Sequence, residues 1–131
     1  MAVYLDTSAV VKLVVPEAES VPLFQFLTGA PERVSSVLLR LELERALRRD
    51  PEHRGYWRER AHALLPGIAL VRLSEALLHM AASLEPPELG SLDAIHLATA
   101  LSIPGLEGMV TYDRRLGAAA AAAGLRVWSP A

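Results

Sequence analysis

The chain contains no cysteine. That excludes disulfides and thiolate metal centres, so any bound metal would sit on oxygen or imidazole. Lysine is nearly absent as well: Lys12 is the only one, and the other basic residues are arginines. Neither sign of charge prevails, with 13 Lys and Arg against 15 Asp and Glu and a formal net charge of −2. This speaks against a protein that coats nucleic acid through bulk charge, though not against an enzyme that grips RNA locally. No apolar run is long enough to span a bilayer, and no N-terminal stretch has the basic, apolar and small-residue order of a secretory leader. The expectation is a cytoplasmic protein. A composition 52% hydrophobic and 21% charged is that of a folded chain, and 131 residues suit one domain over 1–131.

What is present is a regular alternation of short apolar runs and helical patterns. Ala2 to Leu5 reads as a buried strand, with Thr7 and Ser8 available to cap a short helix ending before Pro16. Helical spacing follows over Ala18 to Leu27. A strand is expected over Arg33–Ser35, then helices over Ser36–Arg49 and Glu52–Leu65. Ile68 to Leu73 is a third strand. Ser74 and Ser91 cap two more helices, the second running to about Leu101. A fourth strand spans Met109 to Tyr112. An alanine-rich helix from Arg114 to Ala123 stops at Gly124, and Leu125 to Trp128 is the last strand. Strands alternating with helices predict α/β architecture with a parallel sheet.

In such sheets, ligands bind beyond the carboxyl ends of the strands. Asp6 and Asp113 stand there, each immediately after an apolar strand run. Each also has a plain role open to it, as a helix cap or turn residue. Glu42 and Glu44 separate on a helical wheel. Glu42 neighbours Leu38, Leu39, Arg45 and Ala46, so it lies on the apolar side and needs a partner, for which Arg45 is available. Glu44 has Arg40 and Arg48 at four-residue spacing and reads as an ion-paired surface residue. Asp93 lies in the first turn of its helix, where the macrodipole favours an acid. That helix is apolar nearly all round, which predicts burial. His96 shares a side of it with Asp93; it reads first as a hydrogen-bonded core histidine and second as a ligand or base. His53, His62, His79, Trp57 and Trp128 read as structural.

Four stretches together resemble the motifs of PIN-domain nucleases: Tyr4-Leu-Asp-Thr-Ser-Ala9, Ser35-Ser-Val-Leu-Leu-Arg-Leu-Glu42, Ser91-Leu-Asp-Ala-Ile-His-Leu-Ala98 and Val110-Thr-Tyr-Asp-Arg-Arg-Leu116. They occur in order and span almost the whole chain, and their style is most similar to the VapC toxins of bacterial toxin–antitoxin pairs. The resemblance implies a PIN-like three-layer fold, a five-stranded parallel sheet in the order 3-2-1-4-5 flanked by helices. It places the first and fourth strands side by side. It also implies a Mg²⁺- or Mn²⁺-dependent ribonuclease, a homodimer, and inhibition by a small VapB-like antitoxin. Asp6, Glu42, Asp93 and Asp113 are then the catalytic, metal-holding acids. Asp6 and Asp93 would hold the first ion. Glu42 and Asp113 would complete the pocket, bind a second ion or orient water. Thr7, Ser8 and Thr111 would position phosphate or coordinated water, and Arg114, Arg115 and Lys12 would meet the RNA backbone. A hard cation offsets the repulsion of clustered carboxylates and activates water. Hydrolysis by water would leave a 5′-phosphate.

Alternative readings remain open. A receiver-type signalling domain would want an acid where the third strand ends, but Leu73 and Ser74 stand there. A haloacid-dehalogenase-like phosphatase would want a second Asp two residues after Asp6, where Ser8 stands. A PIN-fold module that binds RNA or antitoxin without cleaving, and a housekeeping RNA-processing nuclease, both keep the same motifs.

Overall fold

The computed structural model describes residues 1–131. Its five strands are β1 (Ala2–Leu5), β2 (Glu32–Ser36), β3 (Ala69–Val71), β4 (Gly108–Val110) and β5 (Arg126–Trp128). They form one parallel sheet in the order β3-β2-β1-β4-β5. Seven α-helices connect them: α1 (Thr7–Val14), α2 (Ser20–Thr28), α3 (Leu38–Leu47), α4 (Arg54–Leu64), α5 (Glu75–Ala82), α6 (Ser91–Leu101) and α7 (Arg114–Ala122). No helix is long and apolar enough to cross a membrane.

Side chains on a strand alternate between faces, and β1 feeds two separate cores accordingly. Val3 and Leu5 pack with Leu13, Leu23, Leu39 and Leu43 from α1, α2 and α3. Tyr4, between them, packs on the opposite face with Leu97, Met109 and Leu116. The sheet is therefore covered on both faces, as expected for parallel strands. Helix α6 is enclosed, with Ala94, His96, Leu97, Ala98, Thr99 and Ala100 all buried. Its near-uniform apolarity is thus explained by α5 on one side and the sheet on the other.

Several boundaries differ from the sequence pattern. Ser36 ends β2 instead of opening a helix, because it pairs in register with Val71 of β3. β3 is only three residues long. Asp6, not Thr7 or Ser8, caps α1 by accepting from the Ala9 amide at 3.1 Å. Gly90 occupies the cap position of α6, so Ser91 is already helical and supplies no cap. Ser74 caps α5 as expected.

The register of β1 against β4 matters most for function. Leu5 pairs with Val110, so Asp6 and Thr111 emerge side by side at the carboxyl edge, and Asp113 follows two residues on.

Candidate active site

The two central strand ends are tied together by hydroxyls. Ser8 Oγ donates to Asp6 Oδ1 at 2.7 Å and accepts from the Tyr112 amide at 2.9 Å. Thr111 Oγ1 donates to Asp6 Oδ2 at 2.6 Å and accepts from the Asp113 amide at 3.0 Å. Asp6 is only 3% exposed, yet no cation faces it. Burial pushes its carboxyl above the ordinary aspartate range, against the downward pull of Thr111, Ser8 and the Ala9 amide. Asp113 caps α7, accepting from the Leu116 amide at 3.1 Å through Oδ1. The cap role and a place at the site coexist for both aspartates.

Glu42 reaches the same region from α3. Its Oε1 accepts from Thr7 Oγ1 at 2.8 Å and from His96 Nε2 at 2.5 Å. Arg45, the partner expected from helix spacing, is exposed and makes no ion pair with Glu42. The reason is orientation: Glu42 points toward α1 and α6, which no pattern within α3 could reveal. Burial pushes the Glu42 carboxyl up, but the His96 contact and the Thr7 hydroxyl outweigh it and hold the group below the usual glutamate range.

Asp93, in the first turn of α6, is half-buried and has no hydrogen-bonding or ion-pairing partner in the protein. Burial raises its pKa, and the charge of Asp113 raises it further, with smaller contributions from Asp6 and Glu42. All four acids thus share one electrostatic neighbourhood. They are not drawn into a tight cage, for no group of three or more Asp, Glu or His side chains closes around a single point. Such a set fits a hard divalent ion that keeps part of its water shell, as Mg²⁺ does. The donors are all oxygen. One oxygen each of Glu42 and Asp113, and both of Asp93, are free of protein hydrogen bonds.

The remaining sequence candidates divide. Thr7, Ser8 and Thr111 all lie at the site, each donating to a carboxylate. Lys12 is held by Glu17 at 2.7 Å and Glu19 at 2.9 Å, so its charge is already met. Arg114 and Arg115 are exposed at the start of α7. A groove of about 680 Å³ runs beside Glu42, the one of the four acids in its lining, and is bounded also by Thr7, Ser8, Arg45, Arg49 and Trp57. Arg45 and Arg49, with Arg48, line an adjoining recess of about 300 Å³. None of these three arginines is ion-paired. Sequence reading passed over them as a cationic group; their i, i+3, i+4 spacing was the available signal. It likewise gave His96 a core role without seeing that its partner is Glu42.

Comparisons with known proteins bear on the family and the fold. A family model described as the PIN domain matches residues 3–122. The chain is 42% identical over 130 residues to Ribonuclease VapC46 of Mycobacterium tuberculosis, covering 98% of each chain. It is 40% identical over 119 residues to Ribonuclease VapC47 of the same species, covering 87% of this chain and 86% of that one. Among solved structures, Mycobacterium tuberculosis VapC20, described as a sarcin–ricin loop cleaving toxin, superposes with a TM-score of 0.75 at 19% identity, covering 98% of this chain and 100% of its own. A toxin–antitoxin complex from Klebsiella pneumoniae gives 0.72 at 20% identity, covering 100% of this chain and 98% of that one. At those identities the two structures speak for the fold alone.

Proposed function

Because the chain belongs to the PIN-domain family, and within it to the VapC ribonucleases, we propose that it hydrolyses RNA phosphodiester bonds at the site of Asp6, Glu42, Asp93 and Asp113. The observation that supports this most is Asp93. A half-buried carboxylate with no protein partner, lifted by the charge of Asp113, is costly to the fold and useful only where a cation or a reacting group meets it. Mg²⁺ or Mn²⁺ is the cofactor that suits the all-oxygen donors. When bound it supplies Lewis acidity toward water and toward the phosphate oxygens.

The chain's own residues have distinct tasks. Asp6 and Asp93 hold the ion, directly or through water. Glu42 and Asp113 would complete the acidic pocket, adding carboxylate oxygens for a cation or orienting the attacking water. Thr7, Ser8 and Thr111 fix the carboxylates in place. Arg45 and Arg49, which line the groove, meet the RNA backbone, with Arg114 and Arg115 as further contacts; Lys12 contributes less, being held by two glutamates. Attack by water leaves a 5′-phosphate. The protein works as a single PIN domain in the cytoplasm, as the toxin of a VapBC-type pair, a homodimer restrained by a small VapB-like antitoxin.

The test is cleavage of a structured RNA pool with Mg²⁺ or Mn²⁺, with EDTA, and by Asp6→Asn in parallel. Metal-dependent cleavage lost in the folded variant is the expected result. Equal cleavage by both proteins would remove Asp6 from the site.

A further inference from the structure

A chain of three side chains runs from the buried face of the sheet to the acidic site. Tyr4 O–H lies 2.6 Å from His96 Nδ1, and His96 Nε2 lies 2.5 Å from Glu42 Oε1. A carboxylate can only accept, so Nε2 carries the proton, and in the neutral ring Nδ1 accepts from the Tyr4 hydroxyl. The imidazole is 1% exposed and Tyr4 is fully buried, their rings meeting edge to face at 5.7 Å. His96 therefore cannot touch RNA. Its ring is clamped at both nitrogens, and the only site residue it reaches is Glu42.

Glu42 is held asymmetrically as a result. Both of its protein hydrogen bonds, from His96 and from Thr7, fall on Oε1; none falls on Oε2. A glutamate on a helix has three side-chain torsions, and without such contacts its carboxylate would rotate freely. Two donors on one oxygen fix that rotation and leave the other oxygen with its lone pairs unoccupied.

From this asymmetry we infer that His96, anchored by Tyr4, is a positioning residue that turns Glu42 so that Oε2 is presented to a divalent cation. The inference rests on the reading of the site as metal-dependent. It assigns His96 no ligand, acid or base role. It gives the histidine of the third motif a task the acids alone do not reveal. Orienting partners of this kind alter metal affinity or activity by about 10- to 100-fold when removed.

The experiment measures Mn²⁺ binding to the RNA-free protein by electron paramagnetic resonance, alongside kcat and KM for RNA cleavage. His96→Leu keeps bulk and removes both hydrogen bonds; His96→Gln can still offer an N–H to Glu42. Expected for His96→Leu are Mn²⁺ affinity and kcat both about tenfold lower, with KM for RNA little changed. His96→Gln should recover most of that loss. In a Glu42→Gln background, His96→Leu should have no further effect on Mn²⁺ binding, because its route is gone. Tyr4→Phe, which removes one hydroxyl, is the milder variant should His96→Leu fail to fold, and it should lower Mn²⁺ affinity in the same direction. Wild-type Mn²⁺ affinity in folded His96→Leu or Tyr4→Phe would overturn the inference, as would His96→Gln behaving like His96→Leu, or an undiminished His96→Leu effect in the Glu42→Gln background. If wild-type protein itself neither binds Mn²⁺ nor cleaves RNA, the metal-dependent reading fails first and the inference falls with it.

Discussion

Glu42 and Glu44 stand two residues apart on α3 and live in opposite surroundings. Glu44 faces α4, with Arg58 Nε at 3.1 Å, Arg54 at 3.9 Å and His62 at 3.8 Å. Glu42 faces α1 and α6, is met by Thr7 and His96, and keeps one oxygen free. Around Glu44 the protein supplies the cations itself. At the site it supplies hydroxyls, amides and an imidazole, and no arginine or lysine pairs with Asp6, Glu42, Asp93 or Asp113. An acid neutralised by arginine is finished chemically. An acid held in place but left uncompensated retains its affinity for something brought from outside.

Charge removal at the site should have the largest effect. Asp6→Asn or Asp93→Asn should lower RNA cleavage by about a hundredfold or more, since the electrostatic assistance at stake is several kcal/mol. Circular dichroism would check that the fold survives. Cleavage within threefold of wild type in either variant would erase the distinction between the two kinds of acid.

An acid left uncompensated should also show itself in the pH dependence of stability in metal-free protein. Asp93 has its folded pKa raised by burial and by Asp113. A raised carboxyl favours folding fully below the unfolded value, and that contribution is lost as pH rises through the folded value. Asp93→Asn should therefore melt above wild type at neutral pH, and the gap should close as pH falls toward the unfolded aspartate value of about 4. Added Mg²⁺ should raise the wild-type midpoint and leave Asp93→Asn nearly unmoved. A pH-independent gap in thermal midpoint would mean the charge on Asp93 is not what strains the site.

The sequence disclosed these parts unequally. The strand order came with the motif resemblance, while the alternation of strands and helices was legible from periodicity alone. Asp6 and Asp113 were recognisable because they follow apolar strands, and α6 because its apolar residues leave no solvent face. Glu44 was correctly read as a paired surface residue, but its partners are Arg54, Arg58 and His62 from α4, not Arg40 and Arg48. Helix spacing reports neighbours within one helix and is blind to the next. The same blindness assigned Arg45 to Glu42 and hid the His96 contact, which joins residues 54 positions apart. Thr7, Ser8 and Thr111 were expected at the site, yet for two of them the carboxylate bound is set by tertiary placement: Thr111 meets Asp6 through the register of β1 on β4, and Thr7 meets Glu42 where α1 packs on α3.

The unpaired arginines beside the groove offer a third, smaller contrast. Arg54 and Arg58 serve Glu44, whereas Arg45 and Arg49 serve no acid. Arg45→Ala with Arg49→Ala should weaken single-stranded RNA binding and reduce the slope of log K against log salt by roughly 1.4 for two lost phosphate contacts. Arg54→Ala with Arg58→Ala should leave that slope as it was. Equal slopes for the two double variants, measured by filter binding, would show that the groove does not carry the RNA backbone.

Glu44→Gln marks the bottom of the scale. Its ion pairs are partly exposed, with Glu44 at 37% and Arg58 at 48% side-chain exposure. Pairs of that kind contribute about 0.2–1 kcal/mol and weaken as salt rises. The variant should lose no more than that in urea unfolding at low salt, with the loss shrinking toward zero at about 1 M salt, where the screening length is about 3 Å. Its RNA cleavage should match wild type within a factor of two or so, because neither Glu44 nor its partners Arg54, Arg58 and His62 line the groove. Glu42→Gln, two residues away and just as conservative, should instead cost at least tenfold in kcat at high and low salt alike, since the His96 side chain it loses as partner is only 2% exposed. If the two variants respond alike to salt and differ little in turnover, then the direction in which a helix points its acids has no bearing on what those acids do.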